Sequence, residues 1–372
     1  MPCLFLHIGL PKTGTSALQV FLASNVEALS RNNIMYPWAR AVVANEQRIT
    51  SGNGVLFAKT AFTAEEDGEV ALQQLTQVMS EGRSVLLSSE FFADWQRDRI
   101  TKLHELASRS GFQTKVIVYL REQSDYIIAA YFQMLKRRPG VVDKDGDGLR
   151  EFVERTLGRN LFLDFDALLQ MWASVVGREN ITVRARLTND LMRDFLQALN
   201  ISNDEGFDFN VSDINVTPRA QEMRIRALLG VFEPTLRTSD VYLNVLSRLY
   251  ATTGRRSVDN YNFMIDPDIV QEIRLKFQSS NERMCQQWFP GVEPSKVLER
   301  RNFPPRTSFS YNTVDLESVI AVLGGISIEA LNRIETLERQ VRALRRGDER
   351  GSQPADADGE KPKRLNPSLV RR

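Results

Sequence analysis

Apolar runs and helical spacings alternate along the first half of the chain. Leu4 to Ile8 is a short apolar run that ends at Gly9, and from Thr15 to Leu29 the apolar positions Leu18, Phe21, Leu22, Val26 and Leu29 recur at helical spacing. This predicts strand, turn, helix. Strand-like runs also end at Leu87 and Leu120, and a weaker one, Ile181 to Val183, follows the helical stretch Phe165 to Val176. Such alternation predicts a three-layer α/β fold, with a central, mainly parallel sheet flanked by helices. From about Thr217 onward the spacing is mostly helical, at Met223, Ala227 and Leu228 and again at Ile269, Ile273 and Phe277. The C-terminal half is therefore expected to be helix-rich.

Gly324-Gly325 interrupts the pattern, and Ser327 is placed to cap a helix carrying Ile328, Leu331, Ile334, Leu337, Val341 and Leu344. Positions 334, 337, 341 and 344 follow heptad spacing over too short a span for a coiled coil. This helix either packs on its own domain or forms a homodimer seam. Residues 347–372 combine Gly, Pro, Asp and Lys/Arg with few apolar positions and read as a disordered tail. The expected organisation is a main domain over 1–325, a C-terminal helix over 326–346 and the tail.

Composition narrows the function classes. With 48 Lys+Arg against 47 Asp+Glu the net charge is +1, so no global field recruits nucleic acid and any anion site must be local. Cys3 and Cys285 cannot make a disulfide framework, and two histidines leave little for a His-based metal site. The N-terminus lacks a basic leader region and no segment reaches spanning length, so the expected location is cytoplasmic. The sequons at Asn180, Asn200, Asn210 and Asn215 then read as chance matches.

The most informative segment is Gly9-Leu-Pro11-Lys12-Thr13-Gly14-Thr15-Ser16. It lies between a strand and a helix, where backbone N–H groups and the helix dipole make a pocket for phosphate. The Gly-x4-Gly spacing is that of the triphosphate loop, yet Thr15 stands where that loop has its lysine. Lys12 lies inside the loop instead. An ammonium there can neutralise the oxygen bridging a phosphate to its transferable group, which suits sulfuryl transfer without a metal.

Pro11-Lys-Thr-Gly-Thr-Ser16 resembles the first loop of the P-loop-like sulfotransferases that use 3′-phosphoadenosine 5′-phosphosulfate (PAPS), including bacterial members. The resemblance implies that Pro11 to Ser16 hold the 5′-phosphate of the co-substrate PAPS and that Lys12 stabilises the leaving phosphate. In that family a strand-Arg-helix unit binds the 3′-phosphate through the arginine and a serine eight residues later. Here the arginine is Arg121, after Val116 to Leu120, and the later position is Ala129. Ser124 lies five residues before that position, more than one helical turn away, and is a poor substitute; a salt bridge to Asp125 is the structural alternative for Arg121. The segments Leu168 to Trp172, Gly177 to Val183 and Ser280-Asn-Glu-Arg283 are loosely similar to the same family.

Ser84 to Leu87 leads into Ser88-Ser-Glu90, which places a carboxylate at a strand end. Glu90 is either the general base for an acceptor hydroxyl or a cap of the next helix. His7, on the first strand, is a second candidate base or a satisfied core residue. Tyr36, Trp38, Phe91, Phe92 and Trp95 either line an acceptor cleft or belong to the core. Asp143, Asp145, Asp147 and Glu154 match calcium-loop spacing, but Arg150 and Pro139-Gly140 argue for a solvated loop. The expected activity is sulfuryl transfer to a hydroxyl on a glycan, a lipid-linked sugar or a small molecule. A magnesium-dependent kinase with an irregular loop and a non-catalytic nucleotide-binding protein are the alternatives.

Overall fold

The computed structural model describes residues 1–39, 52–63, 66–137, 148–159, 161–185, 190–210, 265–300, 323–327, 330 and 332–341. The helical spacing at Met223 to Leu228, the calcium-like spacing at 143–147 and the tail lie outside these residues. The chain divides into two units, one of Met1–Ser239 with Arg255–Asp315 and the other of Asp240–Gly254 with Leu316–Arg372.

Among the described residues the first unit contains five strands, β1 Cys3–Ile8, β2 Ile34–Met35, β3 Ser84–Ser89, β4 Gln113–Leu120 and β5 Ile181–Ala185, paired in the order β2-β3-β1-β4-β5. Every pair is parallel. The unit's helices among the described residues, in chain order, are α1 Thr15–Ser24, α2 Val26–Arg31, α3 Val55–Thr60, α4 Glu66–Met79, α5 Arg97–Arg109, α6 Gln123–Arg137, α7 Gly148–Arg159, α8 Phe165–Val176, α9 Leu191–Ala198, α10 Pro267–Trp288 and α11 Pro294–Val297. This is the predicted α/β fold.

The central strands β1 and β4 are largely apolar on both faces because helices cover both. Leu4, Leu6, Ile8, Val85, Leu87, Val116, Val118 and Leu120 pack into one core with Trp95, Leu103, Trp172 and Ile273. The alternate residues Phe5, Leu86, Ile117 and Tyr119 pack into a second core with Leu18, Phe21, Leu22 and Phe195. The period of two sends successive side chains to opposite layers.

The helix expected from Thr15 to Leu29 is two helices, broken at Asn25. The buried Asn25 amide donates to Phe21 O at 2.8 Å and Asp208 O at 2.9 Å, and its oxygen accepts from Asp208 N at 2.7 Å. An asparagine side chain competes with the helix ladder for backbone partners, and here it turns the chain. The short edge strand β2 is a further element the periodicity does not reveal. It pairs only with Ser84 and Val85. Beyond it Asn53 continues the edge: its amide donates to Leu86 O at 2.9 Å, its oxygen accepts from Ser88 N at 2.8 Å, and Gly54 N donates to Ser88 O at 3.1 Å.

Within the second unit, 323–327 and 332–341 are helical. Gly324 and Gly325 sit inside a helix, and Ser327 is not a cap, because its hydroxyl donates back to Leu323 O at 2.8 Å. Ile334, Leu337 and Val341 are exposed.

Asn53→Ala removes a side chain standing in for a strand and leaves Leu86 O and Ser88 N buried without it. Urea unfolding should show a loss of about 2–3 kcal/mol; a loss under about 0.5 kcal/mol would show that Asn53 does not close this edge.

Candidate functional site

The chain leaves β1 toward β2 on one side of the sheet and leaves β4 toward β5 on the other, so the crevice between the carboxyl ends of β1 and β4 is the switch point where such sheets take ligands. The register pairs Ile8 with both Ser89 and Val118. Gly9, Glu90 and Arg121 are thereby brought to one end of the sheet.

The loop after β1 is braced from within. Leu10 N donates to Ile8 O at 2.9 Å. The Thr13 and Thr15 hydroxyls both turn inward onto Leu10 O, at 2.7 and 3.1 Å, and lie 3.1 Å from each other. Both threonines are buried. The Thr15 hydroxyl therefore holds the loop closed, and what Thr15 can offer a ligand is its backbone N–H. Gly9 lies so close beneath Thr15 that a Cβ there would meet Thr15 Cγ2 at 2.5 Å. Gly14 takes φ 99°, a conformation glycine adopts freely, and a Cβ would meet Leu191 Cδ2 at 2.7 Å. Lys12 takes φ 67°, which for a side-chain-bearing residue costs on the order of 1–2 kcal/mol.

Helix α1 begins with no side-chain cap, and Leu18 N to Gly14 O, at 3.1 Å, is its first ladder bond. The N–H groups of Thr15, Ser16 and Ala17 consequently have no partner four residues earlier. No acidic residue sits in the first turn. An array of N–H donors at the positive end of a helix, with half-buried Ser16 beside it, has the chemistry to accept hydrogen-bonding anions. Pro11 and Lys12 are half-buried on the preceding turn.

Arg121 reaches this loop from the tip of β4. Its Nη1 donates to Lys12 O at 2.7 Å and its Nη2 lies 3.6 Å from Asp125 Oδ2. The ion pair with Asp125 is thus present, and a second anchor on the loop accompanies it. Ala129 is half-buried, farther along α6. Ser124 is fully buried with its hydroxyl donating to the Glu122 carboxylate, so it does not replace the missing serine.

Glu90 is half-buried at the start of the short 3₁₀ turn Glu90–Asp94, and its backbone N lies 3.5 Å from where a Gly9 Cβ would stand. The cap of that turn is Ser89, whose hydroxyl accepts from Phe91 N at 3.2 Å. Capping by Glu90 is therefore corrected to capping by Ser89. The Tyr126 hydroxyl, near the start of α6, is raised to about 12 by burial and then by the Glu90 and Asp94 charges. Of the aromatic candidates, Tyr36, Phe92 and Trp95 are core residues, whereas Trp38 and Phe91 are half-buried. Lys59 Nζ stands 4.3 Å over the Phe91 ring.

His7 is packed into the sheet. It is 1% exposed, its Nδ1 is 2.8 Å from Ser88 Oγ, and it lies edge-on to Phe195 and Tyr119. Burial lowers the imidazole to about 3 from 6.5. It lies in the α1-side core and is a satisfied core histidine.

Residue patterning did not reveal the support beneath the Arg121 helix. Glu122, 4% exposed, accepts from Asp125 N at 3.1 Å and lies 3.9 Å from Arg274 Nε. Gln123 and Asn281 exchange hydrogen bonds of 2.8 and 3.0 Å. The segment Ser280-Asn-Glu-Arg283 is a fastening strip: Ser280 donates to Asp164, Asn281 pairs with Gln123, and Arg283 Nε bonds Asp166 at 2.8 Å. A polar triplet at near-consecutive positions on an otherwise amphipathic helix was the available signal.

No family model matches the chain, and none of the curated proteins does. Among solved structures it is similar to the sulfotransferase from Alicyclobacillus acidocaldarius, at 18% identity and a TM-score of 0.36, over 68% of this chain and 97% of that one. No helix among the described residues is long and apolar enough to cross a membrane.

The lowered His7 pKa links stability to acid. Because the folded value lies below the unfolded one, its contribution is complete above pH 6.5 and is lost as the pH falls from 6.5 toward 3. Between pH 7.5 and 5.5 this amounts to about 1.4 kcal/mol. Urea unfolding at both pH values should show His7→Asn losing less than the parent protein by about that amount; equal losses would mean that His7 titrates normally.

Proposed function

We propose that this protein is a PAPS-dependent sulfotransferase that moves a sulfuryl group to an acceptor hydroxyl, on a glycan, a lipid-linked sugar or a small molecule. One observation carries the reading: the uncapped start of α1 behind Gly14, with Lys12 in the turn before it and Arg121 reaching across from β4. The N–H groups of Gly14, Thr15 and Ser16 then hold the 5′-phosphate, and Arg121 is assigned the 3′-phosphate of the same nucleotide. The sequence match of Pro11 to Ser16 to the first loop of these enzymes supports the same assignment.

In the reaction the acceptor oxygen attacks sulfur. A new S–O bond forms to the acceptor, the S–O bond to the 5′-phosphate breaks, and that electron pair leaves on the phosphate oxygen. Lys12 neutralises the charge growing there, and the loop amides share it. The acceptor proton passes to Glu90, the half-buried carboxylate at the neighbouring strand end. The charge that Lys12 meets is largest in the transition state, so its effect falls on turnover more than on ground-state binding.

Incubation with ³⁵S-labelled PAPS and a panel of hydroxylated acceptors tests the activity. Lys12→Ala should lower kcat by about 10²–10³-fold while nucleotide affinity falls by less than about tenfold. Equal loss in both would remove Lys12 from the transition state. Glu90→Gln should bind 3′-phosphoadenosine 5′-phosphate normally and transfer about 10²–10⁴-fold more slowly; transfer at the parent rate would assign the proton to another group.

A further inference from the structure

Arg121 Nη1 donates to the Lys12 carbonyl, and the geometry points to a role that precedes any grip on a phosphate. We infer that Arg121 is a positioning residue that sets the Lys12–Thr13 peptide for anion binding, with Asp125 as its own anchor. This rests on the proposed nucleotide site and adds a function to one of its residues.

Three observations combine. Lys12 holds a left-handed backbone conformation that its own side chain disfavours, so something outside the residue must maintain it. Its carbonyl accepts a 2.7 Å bond from a guanidinium 109 residues away in sequence. That guanidinium is itself fixed, being only 16% exposed and 3.6 Å from a carboxylate that is 15% exposed and sits in the first turn of α6. The anchor does not drift, because Glu122 accepts the Asp125 N–H and Gln123 is bonded to Asn281 on α10.

The consequence follows from peptide geometry. In a planar trans peptide the carbonyl of one residue and the N–H of the next point in opposite directions. Drawing the Lys12 carbonyl toward Arg121 turns the Thr13 N–H the other way, and it fixes the ψ angle from which the Lys12 side chain and the following Gly14 turn take their directions. The loop's donors are then aligned by the protein's own contacts, so binding an anion does not have to order them. A lysine at position 121 could make one of the two contacts but not present both in a fixed plane.

The test separates positioning from a direct grip by using a ligand that lacks the 3′-phosphate. Calorimetric titration would compare adenosine 5′-phosphate with 3′-phosphoadenosine 5′-phosphate on the parent protein and on Arg121→Gln. Positioning predicts that Arg121→Gln weakens adenosine 5′-phosphate by at least about tenfold, with the 3′-phosphorylated ligand weakened at least as much. Unchanged affinity for adenosine 5′-phosphate would overturn the inference and leave Arg121 as a ligand of the 3′-phosphate alone.

If the parent binds neither nucleotide, the proposed function fails and the positioning role is read separately in the ligand-free protein. Amide hydrogen exchange at residues 12–16 should then be faster in Arg121→Gln, while β1 and β3 exchange as in the parent. Equal exchange at 12–16 would overturn the positioning role, and the strand amides report whether the variant is folded.

Discussion

A helix that starts without a side-chain cap leaves N–H donors without ladder partners, and α1 starts in this way just after β1. Gly14 makes the turn, no acidic side chain follows in the first turn of α1, and the threonines that could have supplied capping oxygens direct them at Leu10 O instead. The protein keeps a local positive potential at the switch point of a parallel sheet, in a chain whose net charge is only +1. The rest of the first unit holds that potential in place: β3 brings a carboxylate beside it and β4 brings a guanidinium.

The support around the site is graded from rigid to adaptable. Strands β1, β3 and β4 are buried on both faces over most of their length, and the start of α6 is tied to α10 by the Gln123–Asn281 exchange and the Glu122–Arg274 pair. Arg121 stands on this base and touches the loop through one carbonyl. Glu90 is held differently, by the Ser89 cap and the backbone contact of Gly9 N with Ser89 O at 3.1 Å. A left-handed lysine in the loop is tolerable in such a setting because neighbouring elements over-determine it.

The sequence made the alternation of strands and helices legible because both faces of the sheet need apolar residues and each helix buries one stripe. It made the turn between β1 and α1 legible because an apolar run ends at Gly9 and helical spacing takes over from Thr15. It did not reveal Asn25 or Asn53, since an asparagine that breaks a helix or completes a sheet edge has the same local pattern as one in solvent. The roles of Thr13 and Thr15 depend on which way two hydroxyls rotate, and Ser124 faces Glu122 for a reason that lies in the α6–α10 packing. His7 carries no sign in its neighbours that Phe195, nearly two hundred residues on, closes over it. Arg121 was visible as a residue at a strand tip, whereas its hold on Lys12 arises only from the pairing of β1 with β4.

A crystal structure of the protein soaked with 3′-phosphoadenosine 5′-phosphate tests the central claim most directly. The account predicts the 5′-phosphate within about 3 Å of the Gly14, Thr15 and Ser16 backbone nitrogens, with the Lys12 ammonium beside it. A nucleotide bound elsewhere, or a loop left empty at saturating ligand, would contradict it.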